Sequence, residues 1–419
     1  TGTGYFCDTS GGAFTVTLPL SPSAGDVVGV SDYAKTFDTD NLTLGRNSEK
    51  IGGEAINATL EAEGAAVTLV YVDSTKGWIV TDSGLQSDAQ AVTYVTATVS
   101  GTCNAITTSG DYKIATFKNP GTFCVSCAGT PAGSTTVDYM VVGGGGGGGS
   151  GNGGGGGGGA GGWRGSDGTA SGSYTAGPAP LTACVSALPV TVQGYPIAVG
   201  GGGAGGPGSG NGCTGTNGVA SSGICISSAG GGGGGGSNCG PRIGGSGGSG
   251  GGAAKGPSTG GSGNTPVVSP AQGNDGGNNP ASPPTNDGGG GGGAGDQGES
   301  ITWNNCRGGN GGVGVTSHIT ASPVGYAGGA GANSEAGGTG GTGGVHNTGG
   351  TPSPSASPSS PRTPGFGGGL GHNGSGCVPN TATAGTDYTG GGGGGIDAAA
   401  PYAAPNGGSG IVIIRYKFQ

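Results

Sequence analysis

The sequence predicts a mainly β protein with little or no α-helix, in which small β domains carry a large glycine-rich module. Three observations predict this class: apolar, often alternating runs near both ends of the chain, 115 glycines among 419 residues, and only 8% charged residues. Over most of its length the chain lacks the residues needed for an apolar core. Disordered chains share that lack but are usually strongly charged, so a solvated coil is not the only interpretation.

The first hundred residues predict a β domain of their own. Short apolar or alternating runs are separated by turn-forming residues, a pattern typical of strands. These runs are Phe14–Leu18, Asp26–Val30, Leu42–Leu44, Ala66–Val72, Trp78–Val80 and Val92–Val99. Their spacing favours a sandwich or a compact barrel over residues 1–100.

A second, smaller β platform is predicted over residues 101–142. Its strands are expected at Lys113–Phe117, Thr122–Cys127 and Thr136–Val142. The strongest strand signal of the whole sequence, Ile411–Phe418, lies at the opposite end of the chain. An apolar run beside polyglycine has no local partner, so we expect this C-terminal strand, within 409–419, to pair with Thr136–Val142.

The region between these strands, residues 143–408, is then one insertion. Glycine is clustered there in the runs Gly143–Gly149, Gly153–Gly159, Gly230–Gly236, Gly288–Gly293 and Gly390–Gly395, without the strict three-residue period of collagen. Glycine chains in the polyproline II conformation point their backbone groups outward and can bond to one another, because no Cβ keeps them apart. We therefore predict a lattice of polyglycine II helices.

The segments between the glycine runs are predicted to be loops projected from the helix ends. They are Trp163–Val199, Cys213–Ser228, Asn279–Asp287, Ile301–Arg307, Gly314–Tyr326, His346–Phe366 and Cys377–Tyr388.

Glycine offers no side chain, so recognition of a partner has to come from these loops. Interface hot spots are rich in Trp, Tyr and Arg. The predicted receptor contacts are Trp163, Arg164, Trp303, Arg307, Tyr326 and Phe366. The alternative is that several of these aromatic rings cap the ends of the lattice.

Several function classes are disfavoured. A net charge of −9 lacks the basic surface that nucleic acids require, and no apolar stretch is long enough to span a bilayer. Glycine-rich phosphate motifs match everywhere and are uninformative. His318, His346 and His372 stand apart from other ligand types. We expect no enzyme, metal or cofactor, and, from the absence of a leader before Thr1, a mature or trimmed chain.

The ten cysteines are compatible with disulfides in an oxidising compartment, above all between loops that lack a core. Cys124 and Cys127 have a metal-like spacing, but residues three apart on a strand point to opposite faces. Zinc or redox chemistry is therefore the minor alternative for this pair.

Two segments resemble known modules. Phe14–Pro19, Ser23–Val28, Asn41–Asn47 and Val70–Asp73 with Gly77-Trp78 resemble a small β module of marine bacteriophage tail fibres. Asp111–Phe117, Gly121–Ser126, Val137–Gly146 and Gly407–Tyr416 are similar to the glycine-rich C-terminal module of phage fibres. In related adhesins of phages, stacked polyglycine II helices present variable loops at the fibre tip.

The resemblance implies a tail-fibre or adhesin subunit that recognises a bacterial surface protein or glycan. It also implies contact with other virion tail proteins, and it places the chain in the virion tail fibre or on an extracellular surface. We expect a homotrimer formed through the N-terminal β region. Alternatives are a structural subunit of an extracellular filament, which would polymerise through β edges, and a weaker one, an ice-binding surface built on polyglycine II.

Overall fold

The computed structural model describes residues 2–83, 92–178, 181–182, 185–208, 212–238, 242–280, 286–301, 307–334, 366–372, 382–397 and 402–419. The chain forms two compact units. Unit 1 comprises Thr1–Thr96, Cys127–Thr135 and Phe418–Gln419, and unit 2 comprises Ala97–Ser126 and Thr136–Lys417. The described residues form strands and no helix, so the prediction of a mainly β protein is confirmed.

The strands are β1 (Thr3–Cys7), β2 (Phe14–Thr17), β3 (Val27–Asp32), β4 (Leu42–Gly45), β5 (Ala58–Leu60), β6 (Ala66–Asp73), β7 (Gly77–Val80), β8 (Val95–Val99), β9 (Ala105–Ser109), β10 (Tyr112–Phe117) and β11 (Gly121–Ala128). They continue with β12 (Thr136–Val142), β13 (Ser150–Gly151), β14 (Trp163–Gly165), β15 (Leu188–Pro189), β16 (Gly194–Ile197), β17 (Ser221–Gly223), β18 (Ile226–Ser228), β19 (Val315–Ser317), β20 (Val324–Tyr326), β21 (Ile396–Asp397) and β22 (Ile411–Lys417).

Unit 1 is built from two sheets, in the orders β1-β3-β6-β7 and β2-β4-β5. Alternate residues of β3 and β6 are buried, as the period of two along a strand requires. Both sheets contribute to one core, which includes Val30, Leu44, Leu69 and the fully buried Trp78. The described residues form no closed barrel, so of the two predicted architectures the two-sheet one is present.

The main sheet of unit 2 has the order β14-β12-β22-β10-β9, with β15 also paired to β12. β12 and β22 are antiparallel, with Val142 opposite Ile411 and Asp138 opposite Arg415. These are the strands for which the sequence predicts pairing. The chain therefore leaves the sheet at Val142 and returns to it at Ile411, and the intervening residues form an insertion.

The remaining strands form one three-stranded sheet and three strand pairs. The sheet has the order β16-β11-β8, the pairs β17-β18 and β19-β20 are antiparallel, and the pair β13-β21 is parallel.

Backbone hydrogen bonds with a period of three organise the glycine-rich region. Along 143–150, every third amide donates to the same neighbour. The amides of 143, 146 and 149 donate to carbonyls of 156–162, those of 144, 147 and 150 to 213–219, and those of 145 and 148 to 405–408, at distances of 2.8–3.0 Å. Segments 203–206, 231–237 and 390–396 donate back to the carbonyls of 143–150. The segments that accept from 143–150 run antiparallel to it, and those that donate to it run parallel. Each segment thus has three residues per turn, the geometry of polyglycine II.

The same pattern joins many segments. Inner segments, bonded to neighbours all around, are 143–150, 154–162, 230–236, 249–255, 288–293, 327–333 and 390–396. Outer segments are 200–206, 213–219, 244–248, 259–264, 273–279, 296–301, 308–313, 366–372, 382–388 and 402–409. The expectation that Cys213–Ser228 and Cys377–Tyr388 are loops is therefore wrong in part, because 213–219 and 382–388 belong to the lattice.

Glycine is required at inward positions by the close approach of backbones. A Cβ at Gly146 would come within 2.5 Å of the carbonyl carbon of Gly232 and 2.9 Å of the nitrogen of Gly233. Outward positions differ: a Cβ at Gly201 would meet nothing within 4 Å, and three residues later the chain has Ala204. The innermost segments, such as 143–150 and 154–162, consequently need long glycine runs, whereas outer segments need glycine only on one side.

Candidate binding groove

A groove of about 350 Å³ opens in unit 2 at the end of the lattice next to the main sheet. Its lining residues are small, apolar or hydroxylated: Thr175, Gly177, Pro178, Val313, Gly314, Thr316 and Phe366. None of these side chains is charged. The volume lies within the range of ligand sites in proteins, about 300–1,000 Å³.

Three of the predicted contact residues converge near this groove. Phe366 forms part of its wall, and its ring packs over Gly325, where a Cβ would come within 2.7 Å of the ring carbon Cδ1. Gly177, also in the wall, lies against the ring of Trp163, 3.0 Å from its outermost carbon by the same measure. Tyr326 follows Gly325 and belongs to the same apolar cluster as Trp163.

The rings of Trp163 and Tyr326 are not exposed contacts, contrary to the first expectation. Trp163 is 1% exposed and Tyr326 is 3% exposed, and both pack in the core of unit 2 with Met140, Val142 and Ile413. Trp163 is buried because the first residues after the lattice segment 154–162 join the main sheet as β14, and Tyr326 ends β20 within the same apolar cluster. These two rings therefore belong to the core of unit 2.

The other predicted contacts do not reach the groove. Arg164 is half-buried on β14, opposite Val141. Arg307 forms an ion pair with Glu299, an arrangement that keeps its guanidinium at the lattice surface. Trp303, like His346 and the remainder of the His346–Phe366 loop before Phe366, lies outside the described residues. Phe366 is thus the predicted contact residue whose ring lines the groove.

One wall of the groove is held by a buried carboxylate that the sequence analysis missed. Asp138, on β12, is fully buried and accepts hydrogen bonds from the hydroxyls of Ser166 (2.7 Å) and Ser171 (2.6 Å) and from the amide of Ser171 (2.8 Å). Its position in the apolar strand Thr136–Val142 was the available signal, because a charge there needs partners. These bonds fix the loop that continues to Thr175, Gly177 and Pro178.

Arg415 of β22 connects both walls. Its Nε donates to the carbonyl of Ser171 (3.0 Å), and its Nη1 donates to the carbonyl of Ile319 (3.2 Å), in the turn between β19 and β20. The guanidinium also lies 4.8 Å from the ring centre of Tyr112 and 5.1 Å from that of Tyr174. A single side chain thereby ties the 166–178 loop and the β19-β20 hairpin to the main sheet.

The phenols around this network resist ionisation. Burial raises the pKa of Tyr174 strongly, and the nearby charge of Asp138 raises it further. Burial also raises the pKa of Tyr326 to about 12. At neutral pH these rings are uncharged, so the groove and its support present dipoles and aromatic faces, not mobile protons.

The described part of the chain contains no group of three or more His, Cys, Asp or Glu side chains that could hold a metal ion. Cys124 and Cys127 on β11 are free, as are Cys7, Cys103 and Cys225. The presence of disulfides among the other cysteines of the glycine-rich region stays a prediction. The described residues contain no helix that is long and apolar enough to cross a membrane.

Residues 119–417 match the family described as a glycine-rich domain. The match covers well over half of the chain, including strands β12, β14 and β22 of the main sheet, the lattice and the groove. No curated protein matches the sequence.

Proposed function

The chain belongs to the glycine-rich domain family, and from that premise we propose that it is a non-enzymatic tail-fibre or adhesin subunit of a bacteriophage. In this role it recognises a protein or glycan on the surface of a host bacterium through the groove next to the main sheet. The supporting observation is a neutral aromatic groove whose two walls are anchored to a rigid lattice and sheet. Binding residues are typically carried by loops that a rigid scaffold positions.

Pre-organisation is the physical reason why such a scaffold favours attachment. Ordering a flexible loop on binding costs free energy that the interface has to recover. In this protein the hydrogen bonds of Asp138 and Arg415 already order the walls. Contacts between the groove and the receptor therefore do not have to offset the free energy of ordering these walls.

The strands that flank the glycine-rich region resemble phage fibre modules. This resemblance supports the proposal that the chain is part of a virion and is attached there to other tail proteins. Unit 1 is the proposed site of homotrimer formation. Its edge strands β1 and β2 carry the exposed rings of Phe6 and Phe14, which are 79% and 40% exposed. Exposed apolar edges of this kind are rarely left uncovered.

A binding assay with fluorescently labelled protein and a panel of intact bacterial cells tests the proposal. Replacing Phe366 with Ala should weaken attachment by ~1–3 kcal/mol if its ring is a hot spot. The matched control is Leu370→Ala, which removes an apolar side chain from the same lattice segment but outside the groove. Attachment by this control should equal that of the unmodified protein.

Two results would contradict the proposal. Equal attachment by folded Phe366→Ala and Leu370→Ala would show that the groove is not the receptor site. Indefinite filaments of the chain alone in negative-stain images, without discrete fibres on virions, would favour the structural filament subunit instead. The ice-binding alternative requires thermal hysteresis in solution.

A further inference from the structure

The outer segments of the lattice leave backbone amides that point away from its centre. Amides directed towards another segment find its carbonyls, as those of 143–150 do, but at the rim no further segment follows. Exposed amides of this kind resemble the edge of a β-sheet, which other chains can extend. A second copy of this protein has suitable carbonyls in its own outer glycine segments.

Side chains of 273–279 occupy this rim beside 259–264. Asn278 accepts a hydrogen bond from the amide of Gly260 at 2.8 Å, and Asp275 accepts one from Gly263 at 2.7 Å. The two acceptor residues are three positions apart, and so are the two donor glycines. This spacing matches the three residues per turn of a polyglycine II helix. Asp275 and Asn278 are exposed and the two glycines are only half-buried, so burial does not explain the arrangement.

The same device recurs around the rim. Asn406 accepts from the amide of Gly205 at 2.9 Å, and Thr383 accepts from Leu370 at 2.8 Å. In each case a side-chain oxygen or amide takes the place that a further backbone would occupy.

We propose that these side chains, which we call rim caps, end the lattice and prevent a second copy of this chain from adding to it laterally. A backbone amide that already donates to a rim cap cannot donate to a carbonyl of a second copy. The rim-cap side chain also blocks that carbonyl sterically. The partner that the surface fits, once uncapped, is an outer glycine segment of another copy. This inference concerns lateral association alone and does not depend on the attachment function.

Sedimentation velocity of the full chain over a range of concentrations tests the rim caps. The uncapped variant combines Asp275→Ala with Asn278→Ala and frees the amides of Gly260 and Gly263. Its weight-average mass should rise with concentration, whereas that of the unmodified protein stays constant, as expected for an exposed pairing edge. The matched control, Asp275→Asn, loses the same charge but keeps an oxygen acceptor, and it should sediment like the unmodified protein.

Two outcomes would overturn the inference. One is an uncapped variant that stays folded by near-ultraviolet circular dichroism yet sediments like the unmodified protein at every concentration. The other is equal association of the uncapped variant and Asp275→Asn, because charge loss would then be the cause. If the double variant does not fold, Asn406→Ala frees only the amide of Gly205, and its sedimentation is judged by the first criterion.

Discussion

Adding one methyl group inside the lattice should cost several kilocalories per mole, and Gly146→Ala is the sharpest instance. The new Cβ would lie 2.5 Å from the carbonyl carbon of Gly232, whereas ordinary contacts need 3.4 Å or more. Segments 143–150 and 230–236 would have to separate by about 1 Å. Their mutual hydrogen bonds, now 2.8–3.4 Å long, would then exceed the limit of a useful bond.

The cost follows from the number of bonds affected. The amides of Gly231, Gly234 and Ser237 donate across this contact. At ~1–3 kcal/mol for each buried group left without a partner, losing two or three bonds destabilises unit 2 by roughly 2–9 kcal/mol. That is a large part of the ~5–15 kcal/mol by which proteins are typically stable.

Gly201→Ala is the matched comparison, because its Cβ would meet nothing within 4 Å. Restricting the unfolded chain should leave this variant unchanged or more stable by ~0.4–1 kcal/mol. Differential scanning calorimetry of both variants measures the difference. Equal melting temperatures for Gly146→Ala and Gly201→Ala would refute the lattice geometry.

Two further predictions concern the sheet and the buried phenols. Deleting residues 411–419 removes β22 and with it Arg415. Limited proteolysis should then digest the glycine-rich region much faster than in the full chain. Retained protease resistance and near-ultraviolet circular dichroism would contradict the closing role of this strand. Burial raises the pKa of Tyr326 and Tyr416 to about 12, above the ordinary value of about 10. Their contribution to stability is therefore full below pH ~10 and is lost as pH rises towards 12. The phenolate absorbance of these two tyrosines should appear together with alkaline unfolding. Ionisation of all tyrosines near pH 10 in the folded protein would disprove the burial of Tyr326 and Tyr416.

The main strands were predictable because their apolar patterns are local. The runs at Ala66–Val72 and Thr136–Val142 coincide with β6 and β12 within one residue. β1 escaped notice because Thr3–Cys7 contains glycine and lies exposed at a sheet edge. β5 is only three residues long, too short for a period to show.

Outer lattice segments are the larger omission, and the reason is physical. In 213–219 the inward positions are Gly215 and Gly218, while Thr216 and Asn217 lie between them. A three-residue glycine period over so few residues is easily read as loop composition. The rim caps and the inner runs belong to one lattice, but only the inner runs are conspicuous in the sequence.

The groove could be predicted only in part. Phe366 was recognisable as an aromatic residue among glycines, but Thr175 and Val313 reach the groove from distant parts of the chain. The burial of Trp163 depends on its pairing with β12, a contact that loop composition does not reveal. Asp138 and Arg415 showed themselves only as charges inside apolar strands.

The mixed direction of the lattice segments has a consequence for how this protein could diversify. Because neighbours of 143–150 run both ways, the chain can turn back at either end and still enter a bonding position. Lengthening a connection changes the closure entropy only slowly, while the glycine contacts between segments stay as they were. New surface chemistry can thus be inserted at many connections without redesigning a core, a freedom that proteins built on interlocking side chains do not have.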